Sequence, residues 1–185
     1  MADTSNFRNG FTIKLDGELF AIVEFQHVKP GKGGAFVRTR LKNVQTGAVI
    51  DRTFRSGDKV EEIRIERRAS QFLYAEGEEY HFMDSESYEQ SVITRAVIGD
   101  GASLLKENET VDVLVAEDRP IGVELPNFVE IEVAQTDPGV RGDTATGAVK
   151  PAKLATGATV SVPLFVNQGD VLKIDTRSGD YVTRV

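Results

Sequence analysis

In the segment Lys29-Pro30-Gly31-Lys32-Gly33-Gly34, Lys32 is surrounded by three glycines and a proline that bury nothing. Glycines on both sides of Lys32 let another molecule approach the backbone closely. The segment therefore predicts a lysine presented to a narrow binding site or to a modifying enzyme. The plainer interpretation is a tight hairpin with a solvated lysine. A phosphate-binding loop is excluded, because neither the upstream glycine nor the Ser or Thr after the lysine is present.

A second candidate is the stretch from Thr136 to Gly147, which is rich in Gly, Thr and Asp. It is longer than a minimal connection between two strands, and long structured loops are often functional. An internally hydrogen-bonded Ω-type loop is the alternative interpretation. Composition alone leaves both open.

Catalytic and metal chemistry find little support in the remaining polar residues. Carboxylates cluster in residues 76–79 and 107–109, but these polar, turn-like surroundings are not expected to raise a pKa for acid–base catalysis. His27 and His81 are expected to pack within strands, cysteine is absent, and no G-x-S-x-G nucleophile motif occurs. We therefore expect no enzyme, no metal site and no cofactor.

The net charge of −7 over 185 residues is unevenly distributed. Residues 1–63 contain 10 Lys and Arg against 8 Asp and Glu, residues 64–126 contain 6 against 14, and residues 127–185 contain 6 against 7. Generic nucleic-acid binding is disfavoured, because that affinity comes from many cations on phosphates. With no secretory signal and no run of roughly 20 apolar residues, the sequence predicts a cytoplasmic protein without a membrane segment.

Short strands and turns must position these loops. Residues 11–15 alternate apolar and polar side chains, Asp16-Gly17 predicts a hairpin turn, and residues 19–23 continue as a strand. Residues 35–41 alternate again after the glycine-rich loop. Closely spaced strands of this kind indicate a small barrel.

The same pattern continues through the rest of the chain. Residues 63–65, 72–74 and 80–83 are predicted strands, whereas residues 91–105 form the one plausible helical region, interrupted by glycines. Further strands are expected at residues 111–115, 121–125, 128–133, 159–162 and 171–174. The prediction is an all-β chain of three small barrels, at residues 1–63, 64–126 and 127–185, with Pro126 at a boundary.

Several separate motifs occur in the order seen in a known family. They are the loop at residues 29–36, Thr136-Asp137-Pro138-Gly139 with Gly142-Asp143-Thr144-Ala145, the stretch from Lys150-Pro151-Ala152 to Gly169, and the ending at residues 175–182. On these residues the chain resembles bacterial elongation factor P from about Asn6 to its C-terminus. The resemblance implies an SH3-like, KOW-type barrel followed by two OB-fold barrels in an L shape. The family is similar to transfer RNA in outline and charge.

The resemblance also implies a function. Family members bind the ribosome between the peptidyl and exit sites when synthesis stalls at consecutive prolines. The implied partners are the ribosome, ribosomal RNA, the peptidyl transfer RNA and a lysine-modifying enzyme, and the protein is expected to be a monomer that does not bind membranes. The first domain would reach the acceptor end of the peptidyl transfer RNA, and the third would lie near the small subunit.

The family's functional positions transfer residue by residue. Lys32 stands at the position of the modified residue, and Lys29, Pro30, Gly31, Gly33 and Gly34 form its supporting loop. Possible RNA-binding residues are Arg38, Arg40 and Lys42, each equally interpretable as a solvated surface charge. The family's small-subunit contact maps onto Gly142, Asp143, Thr144, Thr146 and Gly147, in a stretch less glycine-rich than in some members.

Alternatives remain at two levels. Lys32 excludes the arginine-directed sugar modification of some members and leaves β-lysylation, an aminopentanol-type addition or no modification. The rival functions are an elongation factor P-like paralogue with another ribosomal role and a generic OB-type binder of oligonucleotides or oligosaccharides. The second lacks the basic, aromatic groove expected of such binders.

Overall fold

The computed structural model describes residues 1–139 and 147–185. In these residues almost all regular structure is β-strand, and the strands form three sheets. The all-β prediction is confirmed.

The first sheet has six strands in the order β1-β6-β2-β3-β4-β5. Its strands are Ala2–Asp3 (β1), Thr12–Leu15 (β2), Glu18–Val28 (β3), Phe36–Asn43 (β4), Val49–Arg55 (β5) and Lys59–Glu62 (β6). Side chains alternate along β4, so that Val37, Thr39 and Leu41 are buried while Arg38 and Arg40 between them are exposed. This period of two is what a half-buried strand requires.

The second and third sheets share one strand order. The second contains Glu66–Glu76 (β7), Glu79–Asp84 (β8), Gln90–Thr94 (β9), Thr110–Ala116 (β10) and Arg119–Glu124 (β11), ordered β11-β10-β7-β8-β9. The third contains Phe128–Thr136 (β12), Val149–Leu154 (β13), Thr159–Pro163 (β14), Val171–Asp175 (β15) and Asp180–Arg184 (β16), ordered β14-β13-β12-β15-β16. In both, the first strand is central and lies between the second and the fourth. In the third sheet β14 also contacts β16, which closes a five-stranded barrel.

Two compact units are distinguished along the chain. The first comprises residues 1–68, 93–99 and 113–123, and the second comprises residues 69–92, 100–112 and 124–185. Each has its own apolar core: Phe11, Ile13, Ile22, Val37 and Leu41 belong to that of the first unit, and Val133, Ala152, Val162, Leu172 and Ile174 to that of the second. The division into domains at residues 1–63, 64–126 and 127–185 stays a prediction.

The hairpin predicted at Asp16-Gly17 is confirmed. Leu15 pairs with Glu18 across the turn, and φ is +52° at Asp16 and +84° at Gly17. Two successive positive φ values are the signature of the two-residue turn whose twist matches paired strands. Asp and Gly tolerate this conformation better than other residues do.

The predicted strand at residues 63–65 is wrong. These residues connect β6 to β7 without forming a strand. The backbone N–H of Ile63 donates to the carbonyl of Thr12 at 2.9 Å, and Ile63 and Ile65 pack against a small buried cluster that includes Leu19. The two isoleucines cover this cluster, which accounts for their apolar character. Their alternation with Arg64 does not require a strand.

The helical prediction for residues 91–105 is correct only in part. Its first residues belong to β9, and the helical part is one α-helical turn, Arg95–Ile98 (α1), followed by the 3₁₀ helix Gly99–Leu104. Gly99 has φ +79°, and a Cβ at Gly101 would lie 2.7 Å from the Leu125 Cδ1. The glycines therefore end the α-helix and permit close packing. A second 3₁₀ helix, Thr4–Asn6, was not predicted.

Candidate functional site

The lysine loop joins the two long strands β3 and β4. Val28 and Phe36 form the last cross-strand pair, and residues 29–35 lie beyond it without regular structure. Residues 29–34, Lys32 among them, are exposed. The structure therefore places the predicted functional lysine in the exposed loop of a hairpin.

The conformation of this loop depends on glycine. Gly33 has φ +103°, a value in the left-handed region that L side chains rarely adopt. A Cβ at Gly31, Gly33 or Gly34 would meet nothing within 4 Å, so the glycines leave open space around Lys32. Within residues 1–139 and 147–185, no hydrogen bond or ion pair holds the Lys32 ammonium.

The hairpin below the loop is fixed by its buried face. β4 pairs with β3 on one side and with β5 on the other. Val37 and Leu41 are completely buried, and the Phe54 ring of β5 meets the Phe7 ring edge-on at 5.4 Å between centroids. A packed, paired stalk of this kind holds the base of the exposed loop in place.

The three predicted RNA-binding cations lie together on the outer face of β4. Arg38, Arg40 and Lys42 are two residues apart, so their side chains leave the strand on the same side. All three are exposed. A cleft of about 280 Å³ on this face is lined by Arg38 and Arg40, and also by Gln26 and Arg52 of the neighbouring strands.

These cations differ in how far they are already neutralised. The Arg40 guanidinium lies 3.6 Å from a Glu24 carboxylate oxygen and 3.4 Å from one of Asp51, which are its partners on the two adjacent strands. The Arg38 guanidinium instead lies 5.5 Å from the centroid of the ring of Phe36. Phe36 is the first residue of β4 after the lysine loop. Arg38 is therefore better placed than Arg40 to meet a phosphate.

Gln26 and Arg52 were not among the predicted site residues. The strand register brings Gln26 to the face of the cations, since it pairs with Arg38, whereas Arg52 pairs with the buried Thr39 and borders the cleft from the other face of its strand. The sequence does show polar residues on both flanking strands. Which of them lie beside Arg38 and Arg40 can be decided only when the strand register is known.

Most of the second predicted contact lies outside the described residues. Gly142, Asp143, Thr144 and Thr146 are among the residues 140–146 that the structure does not describe. Gly147 is described, is exposed and has φ +89° just before β13. The role of this stretch stays a prediction.

The histidines occupy packing positions. His81 stacks on Tyr74, its cross-strand partner, with 4.4 Å between ring centroids and 16° between planes, which confirms the prediction for that residue. His27 is exposed on β3 and meets the Phe25 ring edge-on at 5.8 Å.

One expectation about the carboxylates is wrong. Burial raises the pKa of Glu109, and the nearby charge of Lys106 opposes this only in part. The Phe72 N–H donates to the Glu109 carbonyl at 2.9 Å, and one carboxylate oxygen of Glu109 is buried without a hydrogen-bond partner. The turn that looked solvated is thus held against the barrel at this residue, whereas its neighbour Glu107 is exposed.

Among the described residues, no group of three or more His, Cys, Asp or Glu side chains is arranged to hold a metal ion. No helix in residues 1–139 or 147–185 is long and apolar enough to cross a membrane.

Three family models match consecutive parts of the chain. The KOW-like domain of elongation factor P matches residues 3–60, its OB domain matches residues 65–123, and its C-terminal domain matches residues 129–184. These matches confirm the predicted KOW-type and OB fold classes. The matched models describe a translation factor and not a class of enzymes.

Full-length relatives and a solved structure agree with this. Elongation factor P of Pelotomaculum thermopropionicum is 57% identical over 185 residues, and that of Acetivibrio thermocellus is 54% identical over 185 residues, with 100% of each chain covered in both cases. The solved translation initiation factor 5A from Methanococcus jannaschii is 27% identical with a TM-score of 0.54, covering 62% of this chain and 85% of that one.

Both the order of the matched domains and the full-length identity confirm the resemblance seen in the separate sequence motifs. The chain belongs to the elongation factor P family of translation elongation factors.

Proposed function

We propose that this elongation factor binds the ribosome between the peptidyl and exit sites and stimulates peptide-bond formation at consecutive prolines. Family membership makes the ribosome its partner. Lys32 would position the acceptor end of the peptidyl transfer RNA. The observation that supports this role most strongly is the position of Lys32 in an exposed, glycine-lined loop with no protein partner for its ammonium among the described residues.

The physical task is one of positioning. Proline attacks as a rigid secondary amine, and a nascent chain that ends in prolines resists the geometry of that attack. A cation docked beside the acceptor end restricts the reacting groups to fewer arrangements, which lowers the entropic part of the barrier. It need not enter the bond-making step. Charge-assisted hydrogen bonds from the Lys32 side chain to sugar and phosphate oxygens would supply the binding energy.

The hairpin supplies further phosphate contacts in this proposal. Arg38 and Lys42 are exposed on the strand that leaves the lysine loop, and within the described residues neither forms an ion pair. Contacts to phosphate fix position and carry no sequence information. They would therefore hold the loop against the transfer RNA whatever amino acid it carries.

A modification of Lys32 would extend its reach. An exposed loop is accessible to a modifying enzyme, and a β-lysyl or aminopentanol group would move a polar end further from the backbone. An unmodified lysine is the third form that the sequence allows. The intact mass of the loop peptide, from protein purified from its native host, distinguishes these three forms.

The other parts of the proposal concern the rest of the chain. We assign a KOW-type domain to residues 1–63 and OB domains to residues 64–126 and 127–185, acting in the cytoplasm as a monomer. Gly142, Asp143, Thr144, Thr146 and Gly147 would contact the small subunit. The acidic middle block, residues 64–126, fits a factor that occupies a transfer RNA site, because it has the charge sign of RNA.

The test is reconstituted translation of two messages that differ only in a run of proline codons. We expect protein purified from its native host to restore synthesis on the proline message and to leave the other message unchanged. Ribosome binding without restored synthesis would contradict the proposal and support a paralogue with another ribosomal role. Absence of ribosome binding would contradict both.

A further inference from the structure

The turn between β10 and β11 consists of Glu117 and Asp118, which have φ +49° and +59°. Two successive positive φ values suit a two-residue hairpin turn, for which Asn-Gly is a preferred pair because glycine has no Cβ. Asp adopts this region more readily than most residues do, so the cost of the conformation falls mainly on Glu117. A residue held in a disfavoured conformation suggests that its side chain has a task.

The Glu117 carboxylate reaches the first sheet. Both of its oxygens accept from the ammonium of Lys14 on β2, at 3.1 and 3.2 Å, although the two residues are 103 positions apart in the chain. Lys14 pairs with Glu61 of β6 in the sheet, yet its ammonium lies against Glu117. Asp118 instead lies 3.3 Å from the guanidinium of Arg68 on β7. Glu117 is therefore the turn residue that binds the first sheet.

An apolar contact lies beside this ion pair. Leu19 on β3 forms a buried cluster with Ala116 of β10 and Ile121 of β11, which stand on either side of the turn. Burial of apolar surface is favourable but non-directional, whereas hydrogen bonds from an ammonium to a carboxylate have a preferred geometry. All of these residues belong to the first compact unit. The ion pair therefore restricts rotations that the small apolar contact alone would permit.

Strand β3 connects this contact with the lysine loop. Leu19 is the second residue of β3, and Val28 is its last, directly before residues 29–35. At a rise of about 3.3 Å per residue the two lie up to about 30 Å apart, so that a tilt of about 5° at Leu19 would displace the loop by about 2–3 Å. A displacement of this size is enough to weaken a positioning effect.

We infer that Glu117 is a positioning residue, whose ion pair with Lys14 fixes the direction of the first sheet on the β10–β11 hairpin and thereby the direction in which Lys32 is presented. This rests on the proposed role of Lys32 at the acceptor end of the peptidyl transfer RNA. The inference also accounts for the disfavoured turn, because Asn-Gly would relieve the backbone and lose the ion pair. Glu117 acts through the position of Lys32 and does not itself contact the transfer RNA.

The experiment replaces the turn by its preferred pair, Glu117→Asn with Asp118→Gly. Relief of the backbone should keep or raise the melting temperature, while loss of the ion pair should release the first sheet. We expect maximal stimulation on the proline message to fall about two- to fivefold, in line with the modest strength of an exposed ion pair. A fall in melting temperature together with stimulation would indicate a merely structural role and overturn the inference.

Two further variants and a control separate the ion pair from the turn. Glu117→Gln and Lys14→Met should reduce stimulation by the same factor, and their combination should cause no further loss, since both remove one interaction. The control is Asp16→Asn, which changes an exposed residue at φ +52° in the other two-residue turn described above. It should match the wild-type protein. Losses that multiply in the combined variant would overturn the inference.

A second measurement does not involve the ribosome. NMR residual dipolar couplings report the directions of backbone N–H bonds, and in the wild-type protein those of β3 and of residues 113–123 should fit one alignment tensor. In Glu117→Gln they should require two. A single tensor in this variant, or unchanged stimulation, would overturn the inference. If the wild-type protein fails to stimulate translation, the proposed function fails, and the dipolar couplings still decide whether Glu117 fixes the first sheet.

Discussion

Val28 and Phe36 are cross-strand partners at the facing ends of β3 and β4, and together they close the loop that contains Lys32. Below this pair, the register continues through His27 with Val37 and Gln26 with Arg38. Residues 29–35 are therefore anchored at both ends by this one pair. The conformation of the loop between those ends is set by its own glycines and proline. The position of Lys32 depends on both.

Gly33→Ala tests the conformation of this loop. A residue with a Cβ is disfavoured by about 1–2 kcal/mol in the left-handed region, and Gly33 has φ +103°. Because the loop packs against nothing at this point, we expect it to change conformation and displace Lys32. Stimulation on the proline message should fall while the melting temperature changes by no more than a few degrees.

Gly31→Ala is the matched control, since Gly31 lies outside the left-handed region and has equally open space around it. It should retain nearly full stimulation. Equal losses in the two variants would mean that the bulk added beside Lys32, and not the backbone conformation, causes the defect.

Arg38 and Arg40 should differ in their contribution to RNA binding. Arg40 is already engaged by Glu24 and Asp51, whereas Arg38 has no carboxylate partner among the described residues. We expect Arg38→Ala to reduce the slope of log affinity for the ribosome against log salt by about one, as loss of one phosphate contact does. Arg40→Ala should change that slope less. A larger effect of Arg40→Ala would show that its ion pairs break on binding.

Glu109→Gln should stabilise the protein at neutral pH. Burial raises the pKa of Glu109 above its ordinary value of 4.5, so the folded protein holds this proton more tightly than the unfolded chain does. The resulting stabilisation is complete below that ordinary value and is lost as the pH rises through the raised pKa. The neutral amide avoids an ionised oxygen that is buried without a hydrogen-bond partner.

Thermal unfolding at pH 4 and pH 7 measures this effect. The melting temperature of Glu109→Gln relative to the wild-type protein should be higher at pH 7 than at pH 4. Glu107→Gln, two residues away and exposed, should show no such pH dependence. The same difference for Glu109→Gln at both pH values would contradict the assignment to burial of the carboxylate.

Local turn chemistry explains where the fold could be predicted. The Asp16-Gly17 pair predicts its hairpin turn because both residues tolerate the positive φ that the turn requires. Glu117 and Asp118 form an equivalent turn between β10 and β11, with φ +49° and +59°, but contain no glycine to reveal it. The strand prediction at residues 63–65 failed because a short alternation of apolar residues also occurs where a connection packs onto a core.

The site was predictable only as far as it is local. The glycine-rich segment around Lys32 is continuous in sequence, and its exposure follows from its composition. The neutralisation of Arg40 depends on pairing with Glu24 and Asp51, which are distant in sequence. Lys150, which is buried on β13, could not be predicted to be buried. A charged residue in an alternating pattern is expected to face outward.

The most direct test of the central claim is stimulation of synthesis through consecutive proline codons by Lys32→Ala. The control is Lys59→Ala, which removes an exposed lysine from β6, another strand of the same sheet. We predict that Lys32→Ala keeps the wild-type melting temperature and loses about tenfold or more of the stimulation, whereas Lys59→Ala retains it. Full stimulation by Lys32→Ala would contradict the proposal that this lysine positions the peptidyl transfer RNA.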